Sequence, residues 1–171
     1  IGRSRARLLG STNIMKNNSK KKTGKILTLL CPKCQGKLRN KLSFYVCLSC
    51  RQTFQNENGI PLLYWLKGIK SGRNITNIVK KFYEKNPFPN YDDTDSPYEL
   101  RLKAKKGIFA ELLDNQIGNN VSILEAGCGT GQLSNFLSLR DKREVWATDI
   151  CLNSLKLGKN FADTNKINNI S

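Results

Sequence analysis

The chain contains no histidine and a single methionine, Met15, and its first acidic residue is Glu57. Without histidine no imidazole is present to activate a thiol or hydroxyl nucleophile. No apolar run approaches the ~20 residues needed to cross a bilayer, and the basic start lacks the apolar core of a signal peptide. No membrane contact is therefore expected, and the cytoplasm is the expected compartment. The missing acids are local: residues 1–56 carry 13 of the 29 basic side chains and no carboxylate, so most of the net charge of +16 lies in the first third. Such a stretch attracts the phosphates of RNA or DNA, and equally makes a solvated tail. Residues 107–171, with six basic and seven acidic side chains, make no electrostatic case for nucleic acid.

What is present centres on Gly127, Gly129 and Gly131. Val121, Ile123 and Leu124 form the apolar run of a buried parallel strand, and Gln132–Arg140 carries Leu133, Phe136, Leu137 and Leu139 at helical spacing. Strand, glycine turn and helix N-terminus in that order predict a nucleotide site. The spacing rejects a dinucleotide loop: in G-x-G-x-x-G the last glycine would fall on Gln132 or Ser134. A second apolar strand, Glu144–Ile150, carries Asp149, 18 residues after Gly131. That is close to the ~20-residue separation of ribose-binding acids in βαβ units, and the competing role is a cap on the helix Leu152–Lys166. Cys128, with no histidine to activate it, reads as a small filler.

Four of the cysteines form two C-x2-C knuckles, Cys31/Cys34 and Cys47/Cys50, separated by 12 residues. Two such turns complete a tetrahedral S4 site for Zn2+, with a disulfide pair as the competing account. With all four positions filled the metal would be structural, and it would supply much of the folding free energy of a module this small. Expected strands flank the knuckles at Ile26–Leu30, Phe44–Val46, Thr53-Phe54 and Ile60–Leu63, with a turn at Asn58-Gly59. Lys33, Lys37, Arg39, Lys41 and Arg51 make the module basic. A helix is expected over Asn74–Tyr83, with Ile75, Ile78, Val79 and Phe82 on one face, stopped by Asn86-Pro87. A Pro/aromatic stretch, Pro87–Asp93, follows; its Phe88 and Tyr91, with Tyr83 of the helix before it, either line a site or pack the linker. Another helix is expected over 97–115, carrying Leu100, Ala104, Ile108, Leu112 and Leu113 inward, with Arg101, Lys103, Lys105 and Lys106 on a solvated face.

The run Glu125-Ala126-Gly127-Cys128-Gly129-Thr130-Gly131 is E-x-G-x-G-x-G. In this it resembles the first motif of the class I methyltransferases that use S-adenosylmethionine. The resemblance implies that the glycine turn lies against the methionine part of the cofactor, that Glu125 helps orient it, and that Asp149 bonds the ribose hydroxyls. C-P-x-C, C-x-x-C and then G-I-P-L-L resembles zinc ribbons fused to, or partnered with, RNA methyltransferases. F-Y-E-x-N-P-F-P resembles the segment before the cofactor motif in a group of bacterial methyltransferases.

The expected fold is α/β: a truncated Rossmann-like methyltransferase domain, its first two βα units in residues 96–171, preceded by a small zinc ribbon. A basic disordered tail (1–24), the zinc ribbon (25–66) and a linker with a helix and the Pro/aromatic segment (67–95) complete the division. Met15 is a candidate natural start. By resemblance the third strand and the acceptor-binding region lie beyond Ser171, so the fragment is expected to be inactive as it stands and no catalytic base is assigned. Methyl transfer to an unidentified acceptor is expected, with RNA slightly favoured over a small molecule or protein. The rivals are a zinc-ribbon module binding RNA or protein beside a non-catalytic nucleotide fold, and a nicotinamide oxidoreductase.

Overall fold

The computed structural model of the chain describes residues 28–65 and 75–171. The basic tail 1–24, residues 25–27 and 66 of the expected zinc ribbon, among them Ile26 and Leu27 of its first expected strand, and residues 67–74 of the expected linker lie outside the described residues.

The N-terminal part is an antiparallel sheet ordered β1 (Leu38–Lys41), β2 (Phe44–Cys47), β3 (Thr53–Glu57), β4 (Ile60–Pro61). Among the described residues the first expected strand is only a bridge between Leu30 and Lys37. Asn58 and Gly59 join β3 to β4 with φ of +51° and +83°. Positive φ at both central residues is the two-residue hairpin geometry that an Asn-Gly pair favours. Cys31, Cys47 and Phe54 are buried together, with Leu38, Tyr45, Leu63 and Trp65 packed against them.

The C-terminal part runs α1 (Ile75–Lys85), α2 (Pro97–Lys106), α3 (Phe109–Gln116), β5 (Val121–Ala126), α4 (Gln132–Ser138), β6 (Arg143–Thr148) and α5 (Leu152–Thr164). β5 and β6 pair in parallel, from Val121 opposite Arg143 to Ala126 opposite Thr148. A mixed α/β architecture is therefore what the chain adopts. Ile123 and Val145 on one sheet face pack with Phe136 and Leu137 of α4, Phe161 of α5, and Leu100 and Ala104 of α2.

Four expectations are corrected. The single helix over 97–115 is two, because the chain turns at Gly107 and Ile108, the latter at φ +54°. The break rotates the helical phase, so Ile108 and Leu112 are exposed while Leu100 and Ala104 stay buried and Leu113 packs on the core. The β5 strand is not buried throughout: Leu124, on the face opposite Ile123, is 64 % exposed, and Val121, the first residue of the strand on the Ile123 face, is 37 % exposed. The apolar stripe of α1 is likewise open at Ile78, Val79 and Phe82. Finally, the βα units are followed by further strand pairing: Val145 N–H donates to Asn169 O (2.8 Å), Ser171 N–H to Val145 O (2.9 Å) and Ala147 N–H to Ser171 O (2.8 Å). Those residues occupy the edge of β6 opposite β5, which satisfies backbone groups that the two-stranded reading left unpaired.

The two parts are linked by an ion pair between Lys156 of α5 and Glu57 of β3. Within the C-terminal part, Asn153 of α5 donates to Glu84 O of α1 (3.3 Å). No helix among the described residues is long and apolar enough to cross a membrane.

Candidate functional site

The end of β5 delivers Glu125 and the glycine turn, and the end of β6 delivers Asp149. All three turn glycines have positive φ, between +57° and +78°. The turn is closed from within. The N–H groups of Gly127 and Cys128 donate to Thr148 O (2.8 and 3.0 Å), and that of Gly131 to Cys128 O (2.9 Å). The Gly129 N–H donates to Asp149 Oδ2 (2.9 Å), and the other oxygen of the same carboxylate accepts the Cys151 N–H at the head of α5 (2.8 Å). Asp149 thus serves as the expected helix cap and also fastens the turn. The N–H donors of these four turn residues are therefore satisfied inside the protein.

A cavity of about 410 Å3 opens over the turn, within the usual size of a small-molecule site. Glu125, Gly127, Gly129 and Asp149 line it together with Tyr83 and Phe88. Gly127 has nothing within 4 Å of the position a Cβ would take, so its backbone faces open space. Glu125 is held by the Ser134 hydroxyl, which donates to its carboxylate. Two carboxylates in the lining, and no lining cation among the described residues, make the cavity electronegative. Burial, then the charges of Glu125 and Asp149, push the Cys128 thiol up to about 12, which keeps it protonated and unreactive.

Of the three flagged aromatics, Tyr83 and Phe88 reach the cavity and Tyr91 does not. Tyr91 lies behind the turn, its hydroxyl donating to Thr130 O (3.0 Å) and accepting from Asn135 Nδ2 (2.7 Å), its ring stacked on Phe161 with centroids 4.7 Å apart. Burial pushes its hydroxyl up to about 12. The Pro89–Asn90 backbone is bonded by Thr130 and Gln132. Sequence reasoning missed Ser134, Asn135 and Gly158. A Cβ on Gly158 would collide with Thr130 O, so α5 reaches the turn only because this position is bare. A glycine inside a helix was the available signal.

The second site is the cysteine cluster. The Sγ atoms of Cys31, Cys34, Cys47 and Cys50 all lie within 4.8 Å of one another, with Cys31–Cys50 at 3.7 Å and Cys34–Cys47 at 3.4 Å. A tetrahedral zinc site with Zn–S near 2.3 Å sets its sulfurs about 3.8 Å apart, so the arrangement fits such an ion. The two knuckles repeat one geometry. Gln35 N–H donates to Cys31 O (2.7 Å) as Arg51 N–H does to Cys47 O (3.1 Å), and Cys31 N–H donates to Gly36 O as Cys47 N–H does to Gln52 O (both 2.9 Å). Gln35 and Arg51 share φ of +61°. The Cys50 N–H, 3.4 Å from Cys47 Sγ, pulls that thiol down to about 6. At Cys34 the Gly36 N–H works to lower the value, but neighbouring thiols outweigh it and push it up to about 12.

No protein-family profile matches the chain. The chain is similar to a ribosomal protein L11 methyltransferase of Acetivibrio thermocellus, 26 % identical over 118 residues that cover 62 % of this chain and 37 % of that protein. It thus matches little more than a third of that relative's length.

Proposed function

We propose that the cavity over the glycine turn binds S-adenosylmethionine and that the chain serves methyl transfer, with a structural zinc ion on Cys31, Cys34, Cys47 and Cys50. One observation carries the reading. The turn's N–H groups at Gly127, Cys128, Gly129 and Gly131 are used internally, while Glu125 and Asp149 present carboxylates to the cavity. Such a wall repels a pyrophosphate, which needs free N–H donors, and attracts a ligand bearing ammonium, sulfonium and hydroxyl groups. That disfavours the nicotinamide reading. The distant methyltransferase relative supports methyl transfer in general.

In this reading Glu125, steadied by Ser134, faces the amino acid part of the ligand and Asp149 accepts the ribose hydroxyls, each oxygen keeping acceptor capacity beside its backbone bond. Gly127, with open space where a Cβ would stand, lets the ligand lie on bare backbone, and Gly129 lets the Phe88 carbonyl lie against the turn. The bound cofactor supplies an already activated methyl group, so alignment with the acceptor is what the protein adds. We place the zinc ribbon at 25–66, the bridging segment at 67–95 and the cofactor-binding part at 96–171, in the cytoplasm. RNA is the favoured acceptor, on the strength of the basic first third. A protein acceptor is the second reading, favoured by the relative named for a ribosomal protein.

Calorimetric titration of the chain with S-adenosylhomocysteine and, separately, NADH tests the reading. Binding of the former alone is expected, weakened by Asp149→Asn. NADH binding without S-adenosylhomocysteine binding would overturn it. If neither binds and zinc is retained, the zinc-ribbon binding module takes its place.

A further inference from the structure

The two faces of the N-terminal sheet are unlike. Leu38, Tyr45, Cys47 and Phe54 point to the side of the cysteine cluster and form its core. The cross-strand rows Arg39–Val46–Thr53 and Lys41–Phe44–Gln55 lie on the opposite side. None of these six residues joins a core cluster, and Arg39, Lys41, Thr53 and Gln55 are exposed. Phe44 is 38 % exposed, directly opposite Lys41. At the β1–β2 turn beside this row stands Leu42, 97 % exposed. An aromatic ring and a leucine open to solvent between cations are not explained by the sheet's own packing.

We propose that this outward face is a docking surface for an unpaired RNA strand, with a base stacked on Phe44 and backbone phosphates at Arg39 and Lys41. Charge complementarity selects an anionic occupant. Residues 28–56 hold five cations and no acid. The first carboxylate after them, Glu57, is engaged by Lys156, and among the described residues no ion pair involves Arg39 or Lys41. An aromatic on a β-sheet flanked by Arg and Lys matches how unpaired nucleic acid is held, because stacking needs an exposed base face that a duplex hides. RNA presents such faces in loops and bulges. The preference for RNA over DNA rests on the acceptor class proposed above.

Fluorescence anisotropy with a labelled, unstructured 12-nucleotide RNA tests this on the full, zinc-loaded chain. Phe44→Ala is expected to weaken binding about tenfold. The Arg39→Ala/Lys41→Ala variant should flatten the dependence of log affinity on log salt by about 1.4, the value for two phosphate contacts on a single strand. Zinc stoichiometry and S-adenosylhomocysteine binding should be unchanged in both variants, which shows that the sheet still folds. Duplex RNA should bind more weakly, and single-stranded DNA no better than RNA. The proposal is overturned if Phe44→Ala has no effect, if duplex RNA binds as well, or if DNA binds better. A poly-glutamate peptide displacing the RNA at equal charge concentration would also overturn it, in favour of an acidic protein partner. RNA binding lost with S-adenosylhomocysteine binding intact sinks this inference alone; the converse sinks only the cofactor reading.

Discussion

The carbonyl oxygen of Phe88 lies 2.6 Å from where a Cβ on Gly129 would stand. The segment before the core helices is therefore laid directly on the turn, at a point where only hydrogen fits. Gly129 also has φ +57°, which costs an alanine about 1–2 kcal/mol before any collision. Gly129→Ala is expected to abolish S-adenosylhomocysteine binding in a calorimetric titration while zinc content stays at one ion per chain. Release of zinc instead would mean that the two sites are not independent.

Tyr91 ties the same segment down from behind, and removing its hydroxyl leaves Thr130 O and Asn135 Nδ2 without that partner. Tyr91→Phe should cost about 1–3 kcal/mol in urea unfolding, because the ring still stacks on Phe161 and only the hydrogen bonds are lost. A loss below about 0.5 kcal/mol would show that water replaces the hydroxyl.

Arg143 and Arg140 both contact Asp114 but should behave differently. Arg143 has a fully buried side chain that bonds Asp114 and the backbone oxygens of Gly118 (3.2 Å) and Leu137 (3.4 Å). The Arg140 side chain is 47 % exposed. Arg143→Met should cost about 3–5 kcal/mol, since Asp114 stays buried with a weaker partner. Arg140→Ala should cost about 1 kcal/mol or less. Denaturation midpoints compare the two.

Burial works to raise the Asp114 carboxyl, but Arg140 and Arg143 outweigh it and hold it below its ordinary 3.8. The folded state thus favours the charged form more than the unfolded state does. This contribution is complete above about pH 4 and is lost as pH falls through the depressed value. Asp114→Asn should flatten the fall in thermal midpoint between pH 4 and pH 2; an unchanged slope would assign acid sensitivity to other carboxylates.

Metal removal should be selective. A chelator is expected to release one zinc per chain and to collapse the β1–β4 sheet, whose buried core is little more than Cys31, Cys47 and Phe54. Hydrogen exchange should then report lost protection in residues 28–65 and retained protection in β6 and α5. Uniform loss would contradict that expectation.

The elements written by local rules were legible. Asn58-Gly59 marked its hairpin, the cysteine spacing anticipated four clustered thiols, and the glycine turn lies between a strand and a helix. What escaped depended on partners distant in sequence. Nothing in the helical periodicity of 97–115 foretold the break at Ile108, because the apolar spacing continues through it. Leu124 read as buried since an apolar strand looks alike whether one face or both are covered. Ser134 and Asn135 looked like ordinary helix residues, and their importance comes from Glu125, Tyr91 and Gly158 O arriving from other elements.

Asp149 reaches the cavity already immobilised, one oxygen on Gly129 and the other on Cys151. Its rotamer is fixed before any ligand arrives. A ligand that meets it spends no free energy on ordering that side chain, typically about 0.5–1.5 kcal/mol per immobilised group. If the proposed cofactor site holds, the acid just after β6 is a preset anchor, and a variant that merely loosened it, keeping its charge, would bind with a less favourable entropy rather than a lost contact.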